Sequence, residues 1–498
     1  MGGQPVKDVE MEFAPSHVRT RRLVRRTALR KRLVRVNAHR VNALSADSFW
    51  VAQITFESAL QIPEPLMPMT TSKPIHLCSF LLLVIINLSC NRSRGDASVS
   101  QTRPELTAAS EQSLVIRPTQ SPADGDSREP ELTATQDGRV ILSWVEKTGE
   151  KRYALRTATL DQKGWTEAQT VSQGDNWFVN WADFPSVIAL KDSSLAAHWL
   201  VKSGSSTYAY DVNISQSKNG GKSWNKSVVP HRDNTQTEHG FVSLIPLSDG
   251  KVGAVWLDGR NMKDMKEADE HAPAPQSMTL RYAAIDAEGN LSDETQLDER
   301  VCECCGTSAV LTSQGPMAVY RDRSQNEVRD IYIVRQVNGT WTTPQPVFAD
   351  NWQINGCPVN GPAIVADGNK VAIAWFTAAA NTPHVKIAFS QDAGATFGQP
   401  IQVDDGENVG RVDTLLLSDG SALVCWLSGN TEGGQIKVRR IQADGTVGLV
   451  AVIAQTDISR SSGFPRMARL GDEVLFAWTE FGKPSRVRMA VTDVATYK

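Results

Sequence analysis

The chain has 498 residues, 41% of them hydrophobic, and a formal net charge of −3. That apolar content is ample for a large core, and the slightly acidic balance excludes the broad basic surface on which nucleic-acid binding depends. The total conceals an asymmetry: residues 1–90 hold 12 Lys and Arg against 6 Asp and Glu, leaving 40 basic and 49 acidic residues in the body.

Residues 19–40 are rich in arginine (Arg21, Arg22, Arg25, Arg26, Arg30, Arg32, Arg35) and read as a basic arm, a targeting peptide or an over-extended start. The third reading agrees best with residues 67–90. Met67 and Met69 precede Lys73 and an apolar run at 77–88 that ends in Ser89-Cys90. A short basic region, an apolar stretch too short to span a bilayer comfortably and a small residue make a secretory signal peptide. A signal placed so deep in a chain works poorly, so residues 1–66 are expected to precede the true start and to be unstructured. Leu88-Ser89-Cys90 resembles a bacterial lipoprotein box, although Asn87 stands where an aliphatic residue is usual. The resemblance implies a lipid on Cys90 and an exported protein of the cell envelope, periplasmic or anchored at the outer membrane. Residues 91–112, polar and poor in apolar side chains, read as a flexible tether.

From Glu131 one unit repeats. A short apolar strand leads through a turn, such as Asp137-Gly138, Asp249-Gly250, Asp367-Gly368 or Asp419-Gly420, into a strand ending in a large aromatic. Those aromatics are Trp144, Trp199, Trp256, Tyr320, Trp375, Trp426 and Trp478. A third strand, a polar turn and a fourth strand complete each unit. Four antiparallel strands at this period predict an all-β propeller over residues 113–498, because a single blade is too small to bury its own faces. Seven blades are expected, with six the alternative. The aromatics are expected between blades. The last unit lacks a fourth strand, which residues 113–117 (SLVIR) can supply from the amino-terminal side.

Two of the polar turns match one pattern: Ser217, Asn219, Gly221 and Trp224 in SKNGGKSW, and Ser390, Asp392, Gly394 and Phe397 in SQDAGATF. Asn or Asp accepts hydrogen bonds from nearby backbone N–H groups, Gly supplies positive φ, and the aromatic is expected to open a strand and bury its ring. The pattern resembles the Asp box of sialidase-like, BNR-repeat β-propellers, in particular exported bacterial members. It places these turns on the face opposite any channel-entrance site, and it supports the fold far better than an activity.

Aligning the seven entrances sets Glu131, Ser186, Ser243, Thr307, Gly361, Asp413 and Arg466 innermost, so that Asp413, Arg466 and Glu131 from blades six, seven and one meet. They are a salt-bridged cap or an acid–base and anion-binding cluster. A second constellation joins His239 with Cys302, Cys304, Cys305 and Cys357, near Glu238 and Asp183. Disulfides tying the blade-four and blade-five entrances suit an oxidising compartment, and a thiolate–imidazole site for copper or zinc is the alternative. Of the other cysteines, Cys78 falls in the signal and Cys425 in a core strand. A third constellation holds Arg260, Arg321 and Arg323 with Asp258 and Asp322: either loop-stabilising pairs or guanidiniums for a carboxylate, sulfate or phosphate.

The resemblance implies an arginine triad for a sialic acid carboxylate, a Tyr nucleophile with a Glu partner and an Asp acid–base. Tyr208 and Tyr210 are the candidate nucleophiles, with no Glu assignable to either, and the Arg-Ile-Pro motif of sialidases is absent. Two functions therefore stand open. One is an exported, lipid-anchored, monomeric propeller binding an anionic or carbohydrate ligand. The other is a sialidase-type glycoside hydrolase. A metal-dependent envelope protein is a third.

Overall fold

The computed structural model describes residues 114–262 and 277–494. The expected leader, Cys78, Cys90 and the tether lie outside the described residues. The innermost strands are Asp126–Ala134, Ser186–Ala189, His239–Pro246, Ser308–Thr312, Ala363–Asp367, Asn408–Leu416 and Arg466–Leu470. Each begins an antiparallel sheet whose strands follow in chain order, save the outermost strand of the seventh. Each innermost strand also packs on that of the next sheet, and the seventh packs on the first. The result is a ring of seven blades. Among the described residues helix is limited to three 3-10 turns, Arg260–Met262, Ala379–Asn381 and Arg460–Ser462.

Two details differ from expectation. The second blade has three strands, and its fourth, expected at 227–229, is reduced to a single bridge between Ile214 and Val228. The outer position of the seventh blade is occupied by Arg117–Thr119, paired with Arg486–Asp493 in a register that sets Thr119 opposite Met489. This lies two residues beyond the expected 113–117, and Leu114 is instead buried among residues of blades six and seven.

Packing between blades holds the ring. Strands second in each blade are covered on both faces, and so are near-continuously apolar: Val252–Asp258 is buried at every position. Each aromatic at the end of such a strand packs against the preceding blade. Trp256 lies with Leu200 and Val212 of blade two, Trp375 with Met317 and Val319 of blade four, and Trp144 with Leu475 and Met489 of blade seven.

The two matched turns are the same object. Ser217 Oγ accepts the Gly221 N–H at 2.9 Å and Asn219 Oδ1 accepts that of Ser223 at 2.9 Å. Ser390 Oγ and Asp392 Oδ1 repeat both bonds at 2.9 Å with Gly394 and Thr396. Gly221 and Gly394 sit at φ of 87° and 75°, as the turn requires. The aromatics behave differently from expectation: Trp224 and Phe397 open no strand and remain half-buried, lying against the cores of blades one and two and of blades four and five.

Candidate functional site

All seven aligned entrance residues, Glu131, Ser186, Ser243, Thr307, Gly361, Asp413 and Arg466, line one cavity of about 670 Å³ enclosed by the innermost strands. The inter-blade cluster is assembled there. Arg466 Nε lies 2.9 Å from Glu131 Oε2, and its Nη1 lies 4.0 Å from Asp413 Oδ1. The guanidinium also stands over the rings of Phe184 and Phe464, at 5.0 and 5.8 Å. Asp413 is fixed by the backbone, accepting N–H bonds from Thr414 at 2.9 Å and Met467 at 2.7 Å. Burial pushes the Glu131 carboxyl up to about 7; Arg466 opposes that rise and Asp413 adds to it. Burial raises Asp413 as well. One guanidinium thus faces two carboxyls that do not ionise together freely, on a wall with flanking aromatic faces. Elsewhere on the ring, at blades two to four, Ser243 Oγ and Thr307 Oγ1 are 2.8 Å apart, and Ser186 Oγ is 3.0 Å from His198 Nδ1. Such a wall can exchange hydrogen bonds with hydroxyls and lay an apolar ring face against Phe184 or Phe464.

Beside the cavity, Tyr210 joins residues that the sequence left unpaired. Its hydroxyl is 2.7 Å from Asp183 Oδ2 and 2.9 Å from Glu238 Oε1. A hydroxyl has one proton to donate, so the second carboxyl must bring its own to complete the network. Burial above all raises both acids, Glu238 to about 8 and Asp183 to about 7, and it raises Tyr210 well above the usual phenol range. Tyr210 is wholly buried and stacked on Phe178 at 3.9 Å. Glu129 adds a third buried acid, pushed up to about 8 by burial, with Asp183 contributing and Arg128 opposing. Gly240 closes the space: a Cβ there would meet Asp183 Oδ2 at 2.0 Å. Tyr208, by contrast, is exposed, with its ring 6.3 Å from that of Phe178.

The three arginines do not form one anion site. Arg321 is buried and saturated by carbonyls: Nε donates to Asn360 O at 2.9 Å, Nη1 to Arg329 O at 2.6 Å and Nη2 to Phe376 O at 2.7 Å. Its face covers Trp352 at 4.9 Å. Arg323 binds Glu303 and Glu327, and Arg329 shares both acids. Arg260 clasps Asp258 through two bonds of 2.7 Å. Asp322 pairs with none of them; burial and then Asp298 push its carboxyl up to about 7. Adjacency in sequence suggested convergence, but each guanidinium is committed to its own partners.

The cysteine cluster divides into a bonded pair and a free pair. Cys304 and Cys357 form a disulfide between the entrances of blades four and five. Cys302 and Cys305 are free and buried, with sulfurs 3.2 Å apart. Burial opposes ionisation of Cys302, yet the Cys305 thiol and Arg329, whose Nη1 is 3.2 Å away, outweigh it and bring the thiol down to about 7. Cys425 is buried in its strand beside Trp426. His239 does not join the cysteines. It stacks on His231 at 3.7 Å among Asp211, Asp233 and Asp258. The entrance alignment missed His231 and Asp233 because they precede the blade-three strand in an irregular loop. The run His231-Arg232-Asp233-Asn234-Thr235, in a chain with 8 histidines, was the available signal.

No protein family and no characterised protein sequence matches this chain. Among solved structures it is similar to a protein of unknown function from Dyadobacter fermentans DSM 18053, with 14% identity, 74% of this chain and 94% of that one covered, and a TM-score of 0.43. It is also similar to the intramolecular trans-sialidase of Ruminococcus gnavus (11% identity, 64% and 97% covered, TM-score 0.41). A third is the α-L-arabinofuranosidase Arb93A of Fusarium graminearum (11% identity, 77% and 97% covered, TM-score 0.42). At this identity no activity transfers from them.

Proposed function

We propose that this is an exported propeller, lipid-anchored through Cys90, that binds a small carbohydrate at the entrance to its channel. The observation that carries the reading is the Glu131–Arg466–Asp413 cluster on the wall of the 670 Å³ cavity, flanked by Phe184 and Phe464. Paired carboxyl and guanidinium groups offer donors and acceptors together, which suits vicinal hydroxyls, and the aromatic faces suit the C–H face of a sugar ring. A purely anionic ligand is the weaker case, because Arg466 is already bracketed by two acids. Isothermal titration against a panel of neutral and acidic sugars tests this. Wild type binds at least one of them, and Arg466→Ala weakens that binding at least tenfold; no binding across the panel overturns the reading.

One observation favours a glycoside hydrolase instead. Tyr210 and Glu238 are hydrogen-bonded at 2.9 Å, supplying the Tyr–Glu pair that the sequence could not assign. Against it stand the complete burial of Tyr210 and the saturation of Arg321. Turnover of a fluorogenic sialoside that disappears in Tyr210→Phe would replace the binding reading with the hydrolytic one.

A further inference from the structure

We propose that Asp211, His231 and His239 form a binding site for one divalent transition-metal ion, Zn²⁺ foremost, between blades two and three. His231 Nε2 lies 3.8 Å and His239 Nδ1 3.6 Å from Asp211 Oδ1. An ion bonded tetrahedrally at about 2.0–2.1 Å spaces its ligand atoms roughly 3.4 Å apart, close to these separations. The imidazoles lie face to face, 3.7 Å apart and 5° from parallel. Their lone pairs converge once the rings tilt together at the Asp211 edge.

The independent sign of a ligand is what these atoms lack. Among the described residues His231 Nε2 and Asp211 Oδ1 lie within hydrogen-bond distance of no partner, with the Ser203 hydroxyl the group that supports the Asp211 carboxylate, and the His231 side chain is 5% exposed. Two electron-rich atoms left facing each other in a buried site are costly unless a cation or a proton lies between them.

The opposite ring edges meet a supporting carboxylate. His231 Nδ1 is 3.1 Å from Asp233 Oδ1, and His239 Nε2 is 3.3 Å from Asp233 Oδ2. A proton on His231 Nδ1 turns its remaining lone pair toward Asp211; His239 Nδ1 donates to the Tyr210 carbonyl at 3.3 Å, and moving that proton to Nε2, beside Asp233, frees Nδ1 for an ion in the way carboxylates orient metal-bound histidines. Asp258, 3.8 Å from His239 Nε2, is in turn held by Arg260, which offsets one negative charge. Nitrogen with carboxylate oxygen favours zinc and its first-row neighbours over calcium or magnesium. Asp211 keeps 27% side-chain exposure, which gives an ion a way in.

The test uses the full chain, stripped with chelator and reloaded with Zn²⁺ alone, then with Co²⁺ alone. Expected are one equivalent of zinc retained after desalting, a rise in Tm on loading, and a Co²⁺ spectrum without a thiolate charge-transfer band. Asp211→Asn, which keeps the side-chain shape, and His231→Ala each lower retained zinc at least tenfold, while Cys302→Ser leaves it unchanged. Absence of retained zinc in wild type overturns the proposal. So does a cobalt spectrum carrying a thiolate band, or retention unaffected by both Asp211→Asn and His231→Ala.

Discussion

Arg321 illustrates how a residue's chemistry changes meaning once its partners are known. In the sequence it stands among charged neighbours as an anion ligand, whereas in the fold it ties blade four to blade five through the Asn360 and Phe376 carbonyls. Removing it leaves three buried acceptors without donors, each costing about 1–3 kcal/mol. Arg321→Ala is therefore expected to lower unfolding stability by about 3 kcal/mol or more in chemical denaturation, with Arg466→Ala costing clearly less; equal, small effects would contradict this. The buried acids make a second claim. Glu129 and Glu238 are raised to about 8, and Asp183 to about 7. Such acids keep their protons in the folded chain over a pH range where the unfolded chain has lost them. The stability they contribute is complete below about pH 4 and drains away as pH rises through about 7–8. Tm should fall between about pH 5 and about pH 9. Glu129→Gln, which cannot ionise, should flatten that fall, and an unchanged slope in the variant would remove Glu129 from the account.

At the scale of strands and turns, local chemistry was legible because it is local. A hydroxyl, an Asn or Asp and a Gly at fixed spacing close the same turn at residues 217–224 and 390–397 whatever surrounds them. The strand-ending aromatics were equally readable, since their period follows that of the blade. Trp426, fully buried against blade five, is expected to cost about 3–5 kcal/mol on truncation to Ala. Half-buried Trp224 should cost much less, and urea unfolding of the two variants compares them. The short outer strands were less legible: 227–229 forms one bridge, and outer pairing depends on what the neighbouring strand leaves open.

Over the whole molecule, the innermost ring could be aligned because each blade enters the channel at the same point of the repeat, and this placed Glu131, Asp413 and Arg466 together. Long-range pairings within irregular entrance loops could not be read in the same way. Nothing periodic joins Tyr210 to Glu238, His231 to His239, or Cys304 to Cys357. On the proposed reading, ligand chemistry belongs to the channel wall at blades six, seven and one. Soaking crystals with the sugar selected by titration tests that placement. Density within hydrogen-bond distance of Arg466 and Glu131, with a ring face on Phe184 or Phe464, is the predicted result. Density over the loops of Arg260 and Arg323, with the channel empty, would contradict it.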